Sequence, residues 1–258
     1  MDKATMGGLL LAIGGILLGL MLEGGNLGQV LQPTAAMIVF GGTLGAVLIQ
    51  YPLPVAVNAF RRLAQVFVEP AENAQRTIDL LARYANQARR EGIISLDKEL
   101  TNIQEPFLRR AVMLAVDGTE SQELRNIMEL ELENKIEQEE KIPQLFESAG
   151  GFSPTIGIIG AVLGLIQVMQ HLDKIDEVGK GIAVAFVATL YGVGAANLVL
   201  LPAAGKLRIR IRNEQIIREM TVEGVVSILE GMNPRMLEAK LAGFLSEAHR
   251  PAADAPSV

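Results

Sequence analysis

Residues Ser148–Gln170 read Ser-Ala-Gly-Gly-Phe-Ser-Pro-Thr-Ile-Gly-Ile-Ile-Gly-Ala-Val-Leu-Gly-Leu-Ile-Gln-Val-Met-Gln, without one Lys, Arg, Asp or Glu. A helix of a soluble protein keeps a charged face for water, and this stretch has none. It matches the roughly 20 apolar residues that one helical crossing of a bilayer needs. Three more stretches lack charge in the same way: Ala4–Leu22, Gly24–Phe60 and Gly181–Gly205. The chain has 23 Lys and Arg and 29 Asp and Glu in 258 residues, and all of them fall outside these stretches. That distribution, rather than the average hydrophobic content of 50%, decides the class. It argues strongly against a soluble globular enzyme. It also argues against a nucleic-acid binder, which would want a basic balance where this chain has a net charge of −6. The absence of Cys excludes a disulfide scaffold.

Gly24–Phe60 is too long for one crossing and too short for two. Gln29, Gln32 and Pro33 read as a loop and helix start, and Pro52 and Pro54 as an exit. The expected fold is all-α: a polytopic membrane protein with transmembrane helices at 4–22, 34–51, 148–170 and 181–205. A helical cytoplasmic domain covers 61–147, and C-terminal helices and a tail cover 206–258. The first span has almost no positive lead (Asp2-Lys3) and no small-residue cleavage site, so it reads as a retained span rather than a signal peptide. Arg61 and Arg62 follow span 2, and Lys206, Arg208, Arg210, Arg212 and Arg218 follow span 4. The loop after span 1 has neither Lys nor Arg. The positive-inside rule then puts both termini and the large 61–147 segment in the cytoplasm.

That segment carries 12 Lys and Arg against 17 Asp and Glu. Glu69-Pro70 opens one expected helix with Ile78, Leu81, Tyr84, Ala85 and Ala88 on one face, and Gly92 ends it. Pro106 opens another, with Leu108, Ala111, Val112 and Ala115 inward, closed by Asp117-Gly118. Ser121 starts a long acidic helix running toward span 3. Lys206–Arg212 alternates with period two, yet a lone strand would leave backbone groups unpaired, so a continuing helix is expected. Glu230–Pro234 breaks it before a final helix to about Glu247, and Arg250–Val258 reads as a disordered tail.

No enzyme or metal site emerges. His171 and His249 have no partner at metal-ligand spacing. Val178–Gly181 is similar to a phosphate loop but lacks the upstream Gly and the Ser or Thr after Lys180. The spans instead hold Gly15-xxx-Gly19, Gly41-Gly42-xx-Gly45, Gly160-xxx-Gly164 and Gly192 with Gly194, spacings that let helix backbones approach closely. Ion pathways through membranes normally use intramembrane charge. Here the spans offer only hydroxyls and amides, so in any conduction the titrating group comes from a partner.

Several stretches resemble the flagellar motor stator A-subunit (MotA) family. They are Ser153–Ile166, Gly181–Gly192, Val39-Phe-Gly-Gly-Thr-Leu-Gly45, Ala88-Arg-Arg-Glu-Gly92, and Glu230-Gly-Met-Asn-Pro-Arg-Met-Leu-Glu-Ala-Lys-Leu241. The likeness covers roughly residues 4–245, and is strongest to the MotC-like branch. Channel proteins of the TolQ and ExbB type, which energise outer-membrane processes, share the character of spans 3 and 4. They have three spans with the large cytoplasmic segment after the first, whereas two spans precede it here; an energiser of that type is the alternative function, and a purely structural scaffold a third.

The resemblance implies a pentameric ring of A-subunits in the bacterial inner membrane around two B-subunits, each with an intramembrane Asp. It implies no cofactor, a membrane-lipid environment and no nucleic acid. Ions reach the Asp along spans 3 and 4, and the cytoplasmic segment pushes a rotor switch protein. Arg89 and Asp97 resemble the family's rotor-engaging pair, with Asp97 standing where Glu is more usual; Arg90 and Glu99 share that charged segment. Pro154 and Pro202 resemble the prolines at the cytoplasmic ends of the channel-lining helices, and Thr189 the hydroxyl of span 4. Ala161 stands where sodium-type relatives tend to have Thr, which implies protons rather than sodium as the coupling ion.

Overall fold

The computed structural model describes residues 2–67 and 74–245. Among them the secondary structure is entirely helical: α1 (Lys3–Leu22), α2 (Pro33–Ala36), α3 (Gly42–Gln50), α4 (Leu53–Leu63), α5 (Ala74–Glu91), α6 (Pro106–Val116), α7 (Ser121–Gln170), α8 (Ile175–Ala195), α9 (Leu201–Leu229) and α10 (Pro234–Ala242). Four stretches are long and apolar enough to cross a membrane. They lie in Lys3–Leu22, Leu27–Gln50, Ser121–Gln170 and Ile175–Leu229, with mean hydropathies of 1.5 to 2.1 over their best windows. The chain divides into two compact units, a membrane unit (Met1–Glu69 and Glu139–Ile209) and a second unit (Pro70–Gln138 and Arg210–Val258).

In the membrane unit, α7 and α8 pack antiparallel through small residues. A Cβ placed on Gly157 would lie 2.9 Å from the Ala188 carbonyl oxygen and 3.3 Å from Gly192 Cα. One on Gly164 would lie 2.7 Å from the Gly181 oxygen, and one on Gly192 would lie 2.5 Å from the Ser153 oxygen. Gly157 and Gly164 thus meet Ala188, Gly192, Gly181 and Ala185 at the backbone, while Gly160 receives the Ala188 methyl. Lipid tails give no hydrophobic drive for helices to associate, so contact this close supplies the dispersion and packing that hold the pair. Span 2 joins through a small cluster in which Ala35 and Val39 pack on Val187 and Ala188.

The span 2 helix is α2, a π turn at Met37–Gly41 and α3 in succession. A second π turn, Ala196–Leu200, joins α8 to α9, with the Leu201 N–H bonded to the Ala196 oxygen five residues back. Pro202 explains it. Proline has no N–H for the Leu198 carbonyl, and the ladder widens just ahead of it. Pro143 and Pro154 lie within α7, which continues through both. Lys206–Arg212 lies within α9, as the backbone argument required.

The segment after Pro52, read from sequence as an exit, is a separate amphipathic helix, α4. It buries Ala56 and Ala59 and ends on Arg61 and Arg62. Arg62 reaches Glu139 at 3.2 Å, and Arg208 holds Glu147 with two hydrogen bonds of 2.5 and 3.0 Å.

The second unit has its own core. Ile78, Leu81, Tyr84 and Ala85 of α5, Phe107, Leu108, Ala111 and Val112 of α6, Leu124 and Met128 of α7, Met220 and Val225 of α9, and Leu237 and Leu241 of α10 pack together. Gly92 and Gly118 close α5 and α6 with φ of 83° and 82°, a region only glycine enters freely. Asn233 caps α10 after the break at Gly231. The final helix, expected to reach about Glu247, ends at Ala242 and gives way to a turn over residues 243–245. The expected helix start at Glu69-Pro70 and the Arg250–Val258 tail lie outside the described residues.

Gly157→Leu drives a side chain into the α8 backbone and costs at least about 1–3 kcal/mol. Gly45→Ala, with nothing within 4 Å of its Cβ, leaves stability unchanged or slightly raised. Thermal unfolding of the detergent-purified variants measures both. Leu81→Ala, at a fully buried position, costs about 2–5 kcal/mol in the same assay.

Candidate ion pathway and charged face of the second unit

Pro154 and Thr189 converge at the glycine contact. A Cβ on Gly192 would lie 3.2 Å from Pro154 Cα, and one on Gly157 would lie 3.4 Å from Thr189 Cα. Ala161 is half-buried, one residue past the Gly160 contact with Ala188. Pro202 is exposed at the start of α9, beside Leu201, whose side chain covers Gly150 of α7. The structure therefore brings Pro154 and Thr189 together, while Ala161 and Pro202 lie further along the helices in opposite directions.

Most span hydroxyls are already engaged. Thr189 Oγ1 donates to the Ala185 oxygen at 3.3 Å and Thr43 Oγ1 to the Val39 oxygen at 2.6 Å. Thr155 Oγ1 donates to the Phe152 oxygen at 2.8 Å, and the Tyr51 and Ser148 hydroxyls pair at 3.0 Å. Tyr191 donates to the Val30 oxygen at 2.6 Å and accepts from the Gln32 N–H at 3.2 Å, pinning α8 to the start of span 2. Its ring stacks on Phe40 at 5.9 Å. Ser153 is the exception: among the described residues of the membrane unit its Oγ is the buried side-chain atom without a partner. No residue of α7 from Ser148 to Gln170 or of α8 from Gly181 onward carries a charge.

At the N-terminus, Asp2 accepts from the backbone N–H groups of Ala4 and Thr5, both at 3.1 Å, and is ion-paired with Lys206. The Lys206 ammonium and these N–H donors hold the Asp2 carboxyl down at about 2.

In the second unit, Arg89 and Arg90 occupy the last turn of α5, where cations suit the helix dipole. Asp97 and Glu99 sit in a 3-10 turn, Ile93–Glu99, which buries Leu96. Gln87 Nε2 ties that turn to α5 by donating to the Ser95 oxygen at 3.1 Å. Arg89, Arg90 and Asp97 are exposed, and among the described residues none of them has an ion-pair partner. Glu99 is half-buried, accepts from Asn102 at 3.4 Å, and with burial raises the Tyr84 phenol. Exposed charges of this kind add little to fold stability, so they remain available to an external surface.

Sequence reasoning did not assign roles to Ser153 or Tyr191. Tyr191 had a usable signal, since a phenol inside a charge-free span needs a hydrogen-bond partner. Nothing local marked Ser153.

The fold and site define a class: a four-span helical membrane subunit with a charge-free, glycine-packed helix pair and a separate charged helical unit. Residues 99–220 match the MotA/TolQ/ExbB proton channel family, and residues 6–92 match the motility protein A N-terminal family. Motility protein A of Bacillus subtilis is 34% identical over 255 residues, covering 97% of this chain and 93% of that protein. The solved Campylobacter jejuni MotAB structure superposes with a TM-score of 0.90 at 32% identity, covering 99% of this chain and 98% of that one. The flagellar MotAB stator complex of Bacillus subtilis superposes with a TM-score of 0.87 at 33% identity, covering 96% and 98%. The chain belongs to the motility protein A family of flagellar stator subunits, components of an ion-driven motor rather than enzymes.

Acid titration probes the second unit. Burial pushes the Glu223 carboxyl up, but Lys240 and Arg125 (2.8 Å) outweigh it and leave it below its ordinary value. A folded-state value below the unfolded one stabilises the fold above the ordinary carboxylate range, and that contribution is lost as pH falls through the folded value. Glu223→Gln should cost about 1–3 kcal/mol at pH 7. It should also flatten the decline in thermal stability on acidification; an unchanged decline would place the sensitivity elsewhere.

Proposed function

We propose that this stator subunit borders a proton path completed by a B-subunit with a single span and an intramembrane Asp. Five copies surround two such partners in the bacterial inner membrane, with both termini in the cytoplasm. Arg89 and Asp97, aided by Arg90 and Glu99, engage the rotor switch protein, while Pro154, Thr189, Ala161 and Pro202 border the ion path. The observation that carries this reading is the charge-free stretch of the α7–α8 pair, Ser148–Gln170 against Gly181–Ala195, in which the Ser148, Thr155, Thr189 and Tyr191 hydroxyls are already bonded within the chain. Such a pair shapes a path yet holds no titrating group of its own. The Ala161 methyl cannot replace part of a sodium ion's hydration shell, whereas a proton moves through water to a carboxylate. One charge crossing about 100 mV supplies about 2.3 kcal/mol, several times thermal energy. The arrangement of Arg89 and Asp97, exposed, unpaired and held on two elements tied by Gln87, suits an external partner of mixed charge.

Arg89→Glu and Asp97→Lys are each expected to reduce swimming torque while membrane insertion and thermal stability stay within about 0.5 kcal/mol of the parent. Normal torque in both variants makes these residues ordinary surface charge. Swimming speed is expected to be indifferent to external sodium and abolished by a proton uncoupler. Speed that follows sodium and survives the uncoupler overturns the assignment of the ion.

A further inference from the structure

A cavity of about 650 Å³ opens within the membrane unit between α1, span 2, α7 and the α8–α9 junction. Leu17, Phe40, Leu44, Phe146, Ala195 and Leu198 are among its walls, with no charged side chain. The polar groups at its edge are mostly satisfied, since Thr43 and Tyr191 bond backbone oxygens and only the Ser153 hydroxyl lacks a partner. A single hydroxyl does not hold an ordered water, which needs two to four polar partners, so the walls of this open groove favour an apolar occupant. Helix α1 buries none of its own residues. Its N-terminal end is fastened by the Asp2 N–H to the Phe67 oxygen at 3.0 Å and by Asp2 with Lys206. One long wall of the cavity is therefore a helix held at its end and lightly packed along its length, in a medium made of acyl chains.

Cations follow the cavity's lining residues in sequence without lining it themselves. Phe60 of α4 lines it, and Arg61 follows in the last turn of that amphipathic helix. Arg62 is committed to Glu139, whereas Arg61 and Lys3 have no ion-pair partner among the described residues. Both belong to the end of the unit where α1 begins, beside the Phe67 and Lys206 contacts. An amphipathic helix with basic residues at its end lies in the headgroup plane, where each cation attracts anionic lipid by about 1 kcal/mol. We propose that the cavity is an acyl-chain site for one anionic phospholipid, with its phosphate at Arg61 and Lys3 and its chain between α1 and the π turns at Met37–Gly41 and Ala196–Leu200. The chain supplies the dispersion contacts that α1 does not make with the protein, and it fills the wall formed by both widened turns.

The test uses the full chain in nanodiscs of phosphatidylglycerol or of phosphatidylcholine, each doped with the same lipid bearing a diazirine midway along one acyl chain. After irradiation, labelled peptides are mapped by mass spectrometry. Labelling of the Phe40–Leu44 and Leu198–Leu200 segments should exceed that of Leu10 and Leu18 on α1 several-fold, and phosphatidylglycerol should label them more than phosphatidylcholine does. Ala195→Phe and Leu44→Trp, two independent fillings of the cavity, should each remove most of that excess while circular dichroism and elution volume are unchanged. Arg61→Ala should lower the preference for phosphatidylglycerol about fivefold, the equivalent of about 1 kcal/mol. Labelling no higher than that of the α1 outer face, or labelling that survives both fillings, overturns the site. A photoreactive residue at Leu44 that captures a second protein chain instead of lipid overturns the occupant. Equal labelling from the two lipids overturns the role of Arg61 and Lys3.

Discussion

Backbone contact between α7 and α8 is the constraint on which the membrane unit depends. Water drives apolar helices together in a soluble protein, but a bilayer is as apolar as the helices themselves. Association must then come from close approach, and close approach requires that nothing project between the backbones. Gly157 against Ala188, Gly164 against Gly181, and Gly192 against Ser153 meet that requirement. The rest follows by packing: span 2 adds Ala35 and Val39 to the α8 surface, and Tyr191 ties the two by its hydroxyl.

Such a pair leaves no room for charge and little spare polarity. Thr43, Thr155 and Thr189 each bond a carbonyl of their own helix, the usual fate of a hydroxyl with no water nearby. Charge begins again where the helices leave the apolar stretch, in the Arg62–Glu139 and Arg208–Glu147 pairs. It is densest in the second unit, where Glu223 binds two cations at once. In the proposed reading this division separates two tasks. The membrane unit shapes a path and leaves its titration to a partner, while the second unit presents Arg89 and Asp97 to whatever the motor turns.

Much of this was legible in the sequence because the determining signals are local. Charge-free length identified the four spans, and Gly92, Pro106, Gly118 and Pro234 punctuated the helices of the second unit where the structure bends. The period-two run Lys206–Arg212 resolved as helix because a solitary strand has no partner for its backbone. Less legible were features set by tertiary contact. The α4 helix looked like an exit because its alanines, Ala56 and Ala59, gain meaning only against α7 and α9 residues such as Leu145 and Ala204. The π turn before Pro202 needs a whole helix in view, since the proline removes a donor that the ladder must replace. For the site, the residue types near Pro154 and Thr189 were visible, but their convergence at Gly157 and Gly192 depends on the antiparallel register of two helices. The unpartnered Ser153 hydroxyl has no sequence signature at all.

The most direct test of the central claim is proton influx into liposomes containing this chain with its B-subunit. The account predicts a flux that requires both chains and disappears when the partner's intramembrane Asp is changed to Asn. Flux through this chain alone, or flux indifferent to that substitution, would contradict a path whose titrating group lies outside this chain.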